Sequence, residues 1–333
     1  MNAYTGHDSQ YYGIEEHRLV GGKGDGIRLL QVRNGKGLEF TVSEDRCADI
    51  TRLSFRGINM SYFSPCGYVA PAYYDIQGAG FGKSFTAGFL TTCGLTAVGG
   101  PCEDDGEKLP QHGTIANTPA EHVWWEEKEQ TLQIHAVVKD EVLFSHKLML
   151  ERTITCSLEQ NWLNVTDRVT NRADAPSPLM IMYHMNLGYP LLTEDAEIYI
   201  PSDSVRARDP RAEEGIGEWD RFLSPTAGFS EQCYYHDFRT QGTAAVYNAE
   251  IGQGLVITFD PEYLNRFTQW KMCGVRDYVL GLEPGNCNPD GRDIVRRQGK
   301  LQMLEPGQSR DFEVHVCMIG SSKEWEAVQG KKT

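Results

Sequence analysis

Apolar side chains fall at every second position through much of this chain. Residues 131–138, 147–155 and 162–171 each alternate apolar with polar positions, and such runs recur about every ten to fifteen residues. That period matches successive side chains of a strand pointing to opposite faces, one toward a core and one toward water. The Asn34-Gly35 pair lies between the apolar runs 27–32 and 38–42, a spacing that predicts a hairpin. Further strands are predicted over 53–57, 121–126, 243–247, 254–259 and 310–319, the last after the turn at Pro306-Gly307. The only predicted helix is short, near 321–328. Taken together, the pattern predicts an all-β protein built as a large antiparallel β-sandwich. Residues 60–120 are rich in Gly, Pro and aromatics with little periodicity, and are expected to form ordered loops over a binding cleft. Residues 201–228 are expected to be a charged surface loop. No repeat or linker divides the 333 residues, so one domain is expected over 1–333, with its core between about residues 25 and 320.

Composition narrows the partners. A content of 34 Gly, 15 Tyr and 13 Phe suits many turns and few helices, and the net charge of −14 argues against nucleic acid or an anionic membrane surface. A neutral small molecule is the easier ligand. The first ten residues lack the basic and apolar segments of a secretory signal, and no run reaches the roughly 18 apolar residues of a membrane span. Nine cysteines with no Cys-x-x-Cys pair are expected to be free thiols in a reducing cytoplasm.

Three titratable side chains interrupt this pattern. His184 sits in the apolar run 179–188 between methionines and a tyrosine, where a buried imidazole needs partners. His112 stands beside Gly113 in a loop, and Glu283 ends the apolar run 280–282 before Pro284-Gly285. Two histidines and a carboxylate from distant segments can perform general acid/base chemistry if the fold gathers them. His122, His135, His146 and His315 lie on alternating strands and read as structural or exposed.

The order of these features resembles the aldose 1-epimerase (galactose mutarotase) superfamily. Gln111-His112-Gly113 looks like its first catalytic histidine, His184-Met185-Asn186-Leu187 like its second, and Gly281-Leu282-Glu283 with Pro289-Asp290 like its base. More closely, Arg46-x-x-Asp49-Ile50, Thr92-Cys93-Gly94-Leu95, Gly99-Gly100-Pro101, the segment from His112 to Glu121, Gln269-Trp270-Lys271 and Glu283-Pro284-x-Asn286 resemble a mutarotase-like branch, domain of unknown function 4432. The resemblance spans about residues 29–319 and implies a mutarotase-type sandwich that opens and recloses a sugar ring without a cofactor. It implies Glu283 as base, His184 as acid at the ring oxygen and His112 as second donor. Arg46, Asn186, Trp270 and Lys271 would bind the sugar, no metal would be required, and a homodimer is allowed for. The chain departs from the well-studied enzymes at 88–94, where their Gly-Arg-x-x-Asn-Arg-Ile segment has no counterpart. Their sugar-binding Asp has only His236 and Asp237 as nearest candidates, so the identity of the sugar does not carry over.

Two other readings stay open at the level of sequence. His112, His184 and Glu283 could hold a divalent metal in an aldose–ketose isomerase, although no close His-x-His or His-x-x-x-His spacing supports it. The same pocket could also serve a carbohydrate-binding or sensor protein without turnover.

Overall fold

The strands predicted from alternation form the centre of one sheet. In the computed structural model, which describes residues 3–331, Thr131–Glu141, Lys147–Ser157 and Trp162–Asn171 pair antiparallel, with Leu132 opposite Cys156 and Ile154 opposite Val165. Every second side chain in them is buried, and most of the intervening ones are partly exposed, which leaves this sheet one wet face. It has eight strands, in the spatial order Glu197–Tyr199, Gly242–Asn248, Gln253–Phe259, Ser309–Ile319, Trp162–Asn171, Lys147–Ser157, Thr131–Glu141 and His122–Lys128.

A second sheet stacks on its dry face. Its six strands run Ser204–Ala207, Gln232–Asp237, Arg266–Cys273, Tyr278–Gly285, Met180–Leu187 and Leu90–Leu95. Met180–Leu187 and Leu90–Leu95 are buried at every residue, so this sheet is covered on both faces. Toward the eight-stranded sheet, Ile181, Tyr183, Met185, Leu187, Leu280, Leu282 and Phe267 join Ile134, Ile154, Val165 and Val316 in one core. A five-stranded meander, Gly13–Arg18, Arg28–Arg33, Leu38–Ser43, Asp49–Phe55 and Ile58–Asn59, adds Leu30, Phe40, Leu53 and Phe55 to the same core. The expected Asn34-Gly35 hairpin is its second connection. Burial of this many aliphatic and aromatic side chains, at roughly 25 cal/mol per Å² of apolar surface, is the main force holding the layers together.

One polar cluster crosses these layers. Arg152 is fully buried and donates to Asp167 at 2.8 and 2.7 Å, to Asp49 at 2.6 Å, to the Cys47 carbonyl at 3.1 Å and to Thr92 Oγ1 at 2.7 Å. Tyr183 donates its hydroxyl to Asp167 at 2.8 Å, and Thr92 donates its N–H and hydroxyl to Asp49. A strand of each sheet thereby contributes to one satisfied network, which suits a buried ion cluster that fixes the register of the layers.

The structure corrects four sequence expectations. Residues 60–120 are not only loop: they hold strand Leu90–Leu95 and the hairpin Cys102–Asp104 with Glu107–Leu109. Leu90–Leu95 lacks alternation because both faces are buried and because its Thr92 is spent on the polar network. The 201–228 segment is not merely a surface loop, since Ser204–Ala207 is an edge strand of the six-stranded sheet. Strand Gly13–Arg18, which the sequence pattern does not predict, pairs with Arg28–Arg33. Finally, besides helix Ser322–Val328 there are helices Pro210–Glu213 and Arg292–Arg297, too short to show a 3.6-residue period. All nine cysteines are free thiols. Among the described residues no helix is long and apolar enough to cross a membrane.

Candidate active site

The face of the six-stranded sheet turned away from the core carries the candidate chemistry. Met182 pairs with Gly285 and Met185 with Leu282, so His184 and Glu283 lie side by side on neighbouring strands and on the same face. His184 Nε2 is 3.2 Å from Glu283 Oε1, with both side chains almost fully buried. The contact lacks hydrogen-bond alignment, and His184 Nδ1, Glu283 Oε1 and the neighbouring Thr268 Oγ1 have no hydrogen-bond partner. Thr268 and Trp270 share this face by register, opposite Glu283 and Gly281.

His112 arrives on a loop bound to the edge of the sheet. Gly94 N–H donates to the His112 carbonyl at 3.0 Å, Thr114 N–H donates to the Gly94 carbonyl at 3.1 Å, and His112 N–H donates to Gly99 O at 2.9 Å. His112 and Gly113 both adopt left-handed backbone, at φ 57° and 72°, and a Cβ at Gly113 would collide with the Gly94 carbonyl. The turn thus places the ring of His112 5.9 Å from that of His184, nearly perpendicular to it. Gly99 N–H approaches His112 Nδ1 at 3.4 Å, which assigns the ring proton to Nε2.

Together these groups line a cavity of about 270 Å³, with Phe81 and Phe85 against the two imidazoles and Trp270 edge-on to His184 at 5.3 Å. Gln111, Arg208, Glu231 and Cys233 complete its polar lining. A larger groove of about 870 Å³ around Phe238 and Asp260 lies elsewhere and contains none of these groups.

Burial sets the proton affinities. It holds His112 down at about 4, helped by the positive charge of Arg208, and His184 down at about 3, helped by His112 and opposed by Asn186. It pushes the Glu283 carboxyl well above the usual carboxylate range, with Glu231 adding to the rise and Arg208 opposing it. Each environment disfavours charge, so the uncharged pair of His184 and Glu283 holds one proton: a second would charge an imidazole, and its loss would leave a buried anion.

The residues expected to bind a sugar divide. Trp270 lines the cavity, and its Nε1–H donates to Glu231 at 2.7 Å. Lys271, its neighbour in the strand, necessarily points to the other face, where Nζ donates to the Glu218 carbonyl at 2.8 Å. Arg46 is also outside the cavity lining: it is buried and donates to the Val69 carbonyl at 2.9 Å. Asn186 shares the face of His184 but is fully buried beside it, donating to the His184 carbonyl at 2.8 Å. His236 is on the far face, bonded to Ser202 and Gln269, and Asp237 accepts from Ser204 at the strand end. No group of three or more His, Cys, Asp or Glu among the described residues is disposed to hold a metal ion.

Two charged cavity residues escaped the sequence reading. Arg208 directly follows Ser204–Ala207, and its N–H donates to the Cys233 carbonyl, continuing the strand pairing into the site. Glu231 directly precedes Gln232–Asp237 and accepts from Arg208 Nη2 at 3.0 Å. A charge just outside a short strand looks like a solvated turn in sequence; only the strand neighbourhood reveals its direction.

Comparison with known proteins agrees with this architecture. A candidate aldose 1-epimerase from Klebsiella pneumoniae superposes with a TM-score of 0.91 at 28% identity, over 97% of this chain and 89% of that one. A galactose mutarotase-like protein from Clostridium acetobutylicum gives 0.69 at 14% identity, over 93% and 99% of the two chains. Galactose 1-epimerase from Lactobacillus acidophilus gives 0.63 at 12% identity, also over 93% and 99%. The fold is galactose mutarotase-like. No curated protein matches the sequence. The model of the domain of unknown function family DUF4432 matches residues 24–318, nearly the whole chain, and the protein belongs to that family.

Proposed function

We propose that this protein is an aldose 1-epimerase-type isomerase that interconverts the anomers of a free monosaccharide by acid/base ring opening, acting in the cytoplasm. One observation carries the proposal: an imidazole and a carboxylate 3.2 Å apart line a cavity, and His184 Nδ1 and Glu283 Oε1 have no hydrogen-bond partner in the protein. At about 270 Å³ the cavity lies near the lower end of small-molecule sites, which run from about 300 to 1,000 Å³, and suits one sugar ring.

Glu283 removes the proton from the anomeric hydroxyl while His184 delivers one to the ring oxygen, and the bond between C1 and that oxygen breaks. The aldehyde turns about C1–C2, and reclosure with the roles reversed gives the other anomer. The proton shared by Glu283 and His184 rests on Glu283; its passage to His184 gives the reactive ion-paired form, with an empty base and a loaded acid. Raised proton affinity makes the carboxylate a strong base, and lowered affinity makes the imidazolium a ready donor. Neutral His112 presents Nε2–H as a second donor to the ring oxygen. Trp270 offers an apolar surface to one side of the sugar, Gln111, Thr268, Arg208 and Glu231 meet its hydroxyls, and Phe81 and Phe85 exclude water.

The test is anomer exchange of freshly dissolved aldoses, followed by polarimetry or magnetization-transfer NMR with and without chelator. Catalysis unaffected by chelator is expected. Loss on chelation would move the assignment to a metal-dependent isomerase, and binding without exchange would make the protein a sensor.

A further inference from the structure

Arg208 is the only arginine or lysine lining the cavity among the described residues, and its charge is already taken. Its Nε donates to Asp209 at 2.9 Å and its Nη2 to Glu231 at 3.0 Å. Asp209 also caps helix Pro210–Glu213 by accepting from the Ala212 N–H at 3.0 Å, so one end of this clamp is fixed to the fold. The other end, Glu231, has a half-exposed side chain at the cavity wall and also receives the indole N–H of Trp270 at 2.7 Å. Both of its oxygens are engaged. Lys271 and Arg46, the other cations expected near a sugar, point elsewhere, and Lys83 is paired with Asp75 on the surface.

The charge arithmetic at this wall is one guanidinium against two carboxylates, with a further carboxyl, Glu283, across the cavity. A ligand bearing a carboxylate, phosphate or sulfonate would find no uncompensated cation and would approach Glu231 directly. An uncharged ring would need only hydroxyl partners, which paired ions supply without breaking apart. We infer that the Arg208–Glu231 pair is a charge filter that restricts the site to uncharged monosaccharides, with Glu231 as the residue that sets this preference by occupying Arg208. This deepens the isomerase assignment and depends on it for turnover, though not for binding. Glu231 acts here through Arg208, as a positioning residue.

Replacing Glu231 by Gln removes one negative charge and leaves Arg208 held by Asp209 but half-released toward the cavity. D-galactose and D-galacturonate differ only at C6 and are the probes. In the wild type, both kcat/KM for anomer exchange and affinity by calorimetry should favour the neutral sugar by on the order of tenfold or more. In Glu231→Gln that ratio should fall by on the order of tenfold, mainly through tighter uronate binding that weakens as salt is raised. Glu231→Asp should retain the preference. The filter is overturned if the wild type treats the two sugars alike, or if Glu231→Gln weakens both equally, as it would were Glu231 only a support for Trp270. Should neither sugar be turned over, the isomerase assignment fails, and the calorimetric ratio still decides the filter: tighter galactose binding supports it, while equal, absent or uronate-favouring binding refutes it.

Discussion

Tyr183 and His184 are neighbours in one strand, and they lead into two buried polar regions of opposite character. Tyr183 points into the layers and joins Arg152, Asp167, Asp49 and Thr92, where the guanidinium has five protein hydrogen bonds. His184 points to the other face and meets Glu283 with Nδ1, Oε1 and the nearby Thr268 hydroxyl unfilled. Both regions are buried and contain ionisable groups. A satisfied network holds sheets in register, whereas an unsatisfied one has protein on one side and a cavity on the other. The difference teaches that a complete set of hydrogen bonds suits a structural ion cluster, whereas a buried ionisable pair left incomplete beside a cavity is a candidate for ligand contact.

The largest expected effect falls on the satisfied side. Arg152→Ala leaves Asp49 and Asp167 buried without their cation and should cost about 3–5 kcal/mol of stability, measured by urea unfolding. A loss under about 1 kcal/mol would mean that the network is dispensable and that the contrast between the two regions is weak. A smaller effect follows from the buried imidazoles. Burial lowers His112 and His236 to about 4, from an ordinary 6.5. The unfolded chain therefore binds protons that the folded one refuses. Stability is fully present above about pH 6.5 and declines as pH falls toward 4, by about 2 kcal/mol per histidine at pH 5. His184, held down at about 3, takes up no further proton over that range, so kcat/KM should not fall in step with the unfolding midpoint. A rate that tracks stability through this window would break the separation between scaffold and site.

The sheets were legible because alternation is a direct imprint of one wet and one dry face, as in Thr131–Glu141. His184 and Glu283 were legible for the converse reason: a titratable group inside an apolar run has few structural explanations. Leu90–Leu95 was hidden because a strand covered on both faces loses its period. Lys271 could have been placed correctly from sequence, since two adjacent residues of a strand cannot both face one cavity and Trp270 occupies it. Asp49 and Asn286, parts of the family-like motifs, serve the scaffold. Asp49 binds Arg152, and Asn286 accepts from the Ile181 N–H at 2.8 Å and donates to the Leu179 carbonyl at 2.9 Å, fixing the strand that carries His184. Arg208 and Glu231 could not be read, because their role comes from neighbours 23 or more residues away, each other, Cys233 and Trp270 among them.

Glu283→Gln most directly tests whether the unfilled pair is the reacting centre, because it keeps the shape and removes the base. Anomer exchange should fall by about 10²–10⁴-fold. The unfolding midpoint should stay level or rise, since a buried ionisable carboxyl is replaced by a neutral amide. Exchange at near wild-type rate in this variant, or a loss of rate accompanied by unfolding, would contradict the assignment.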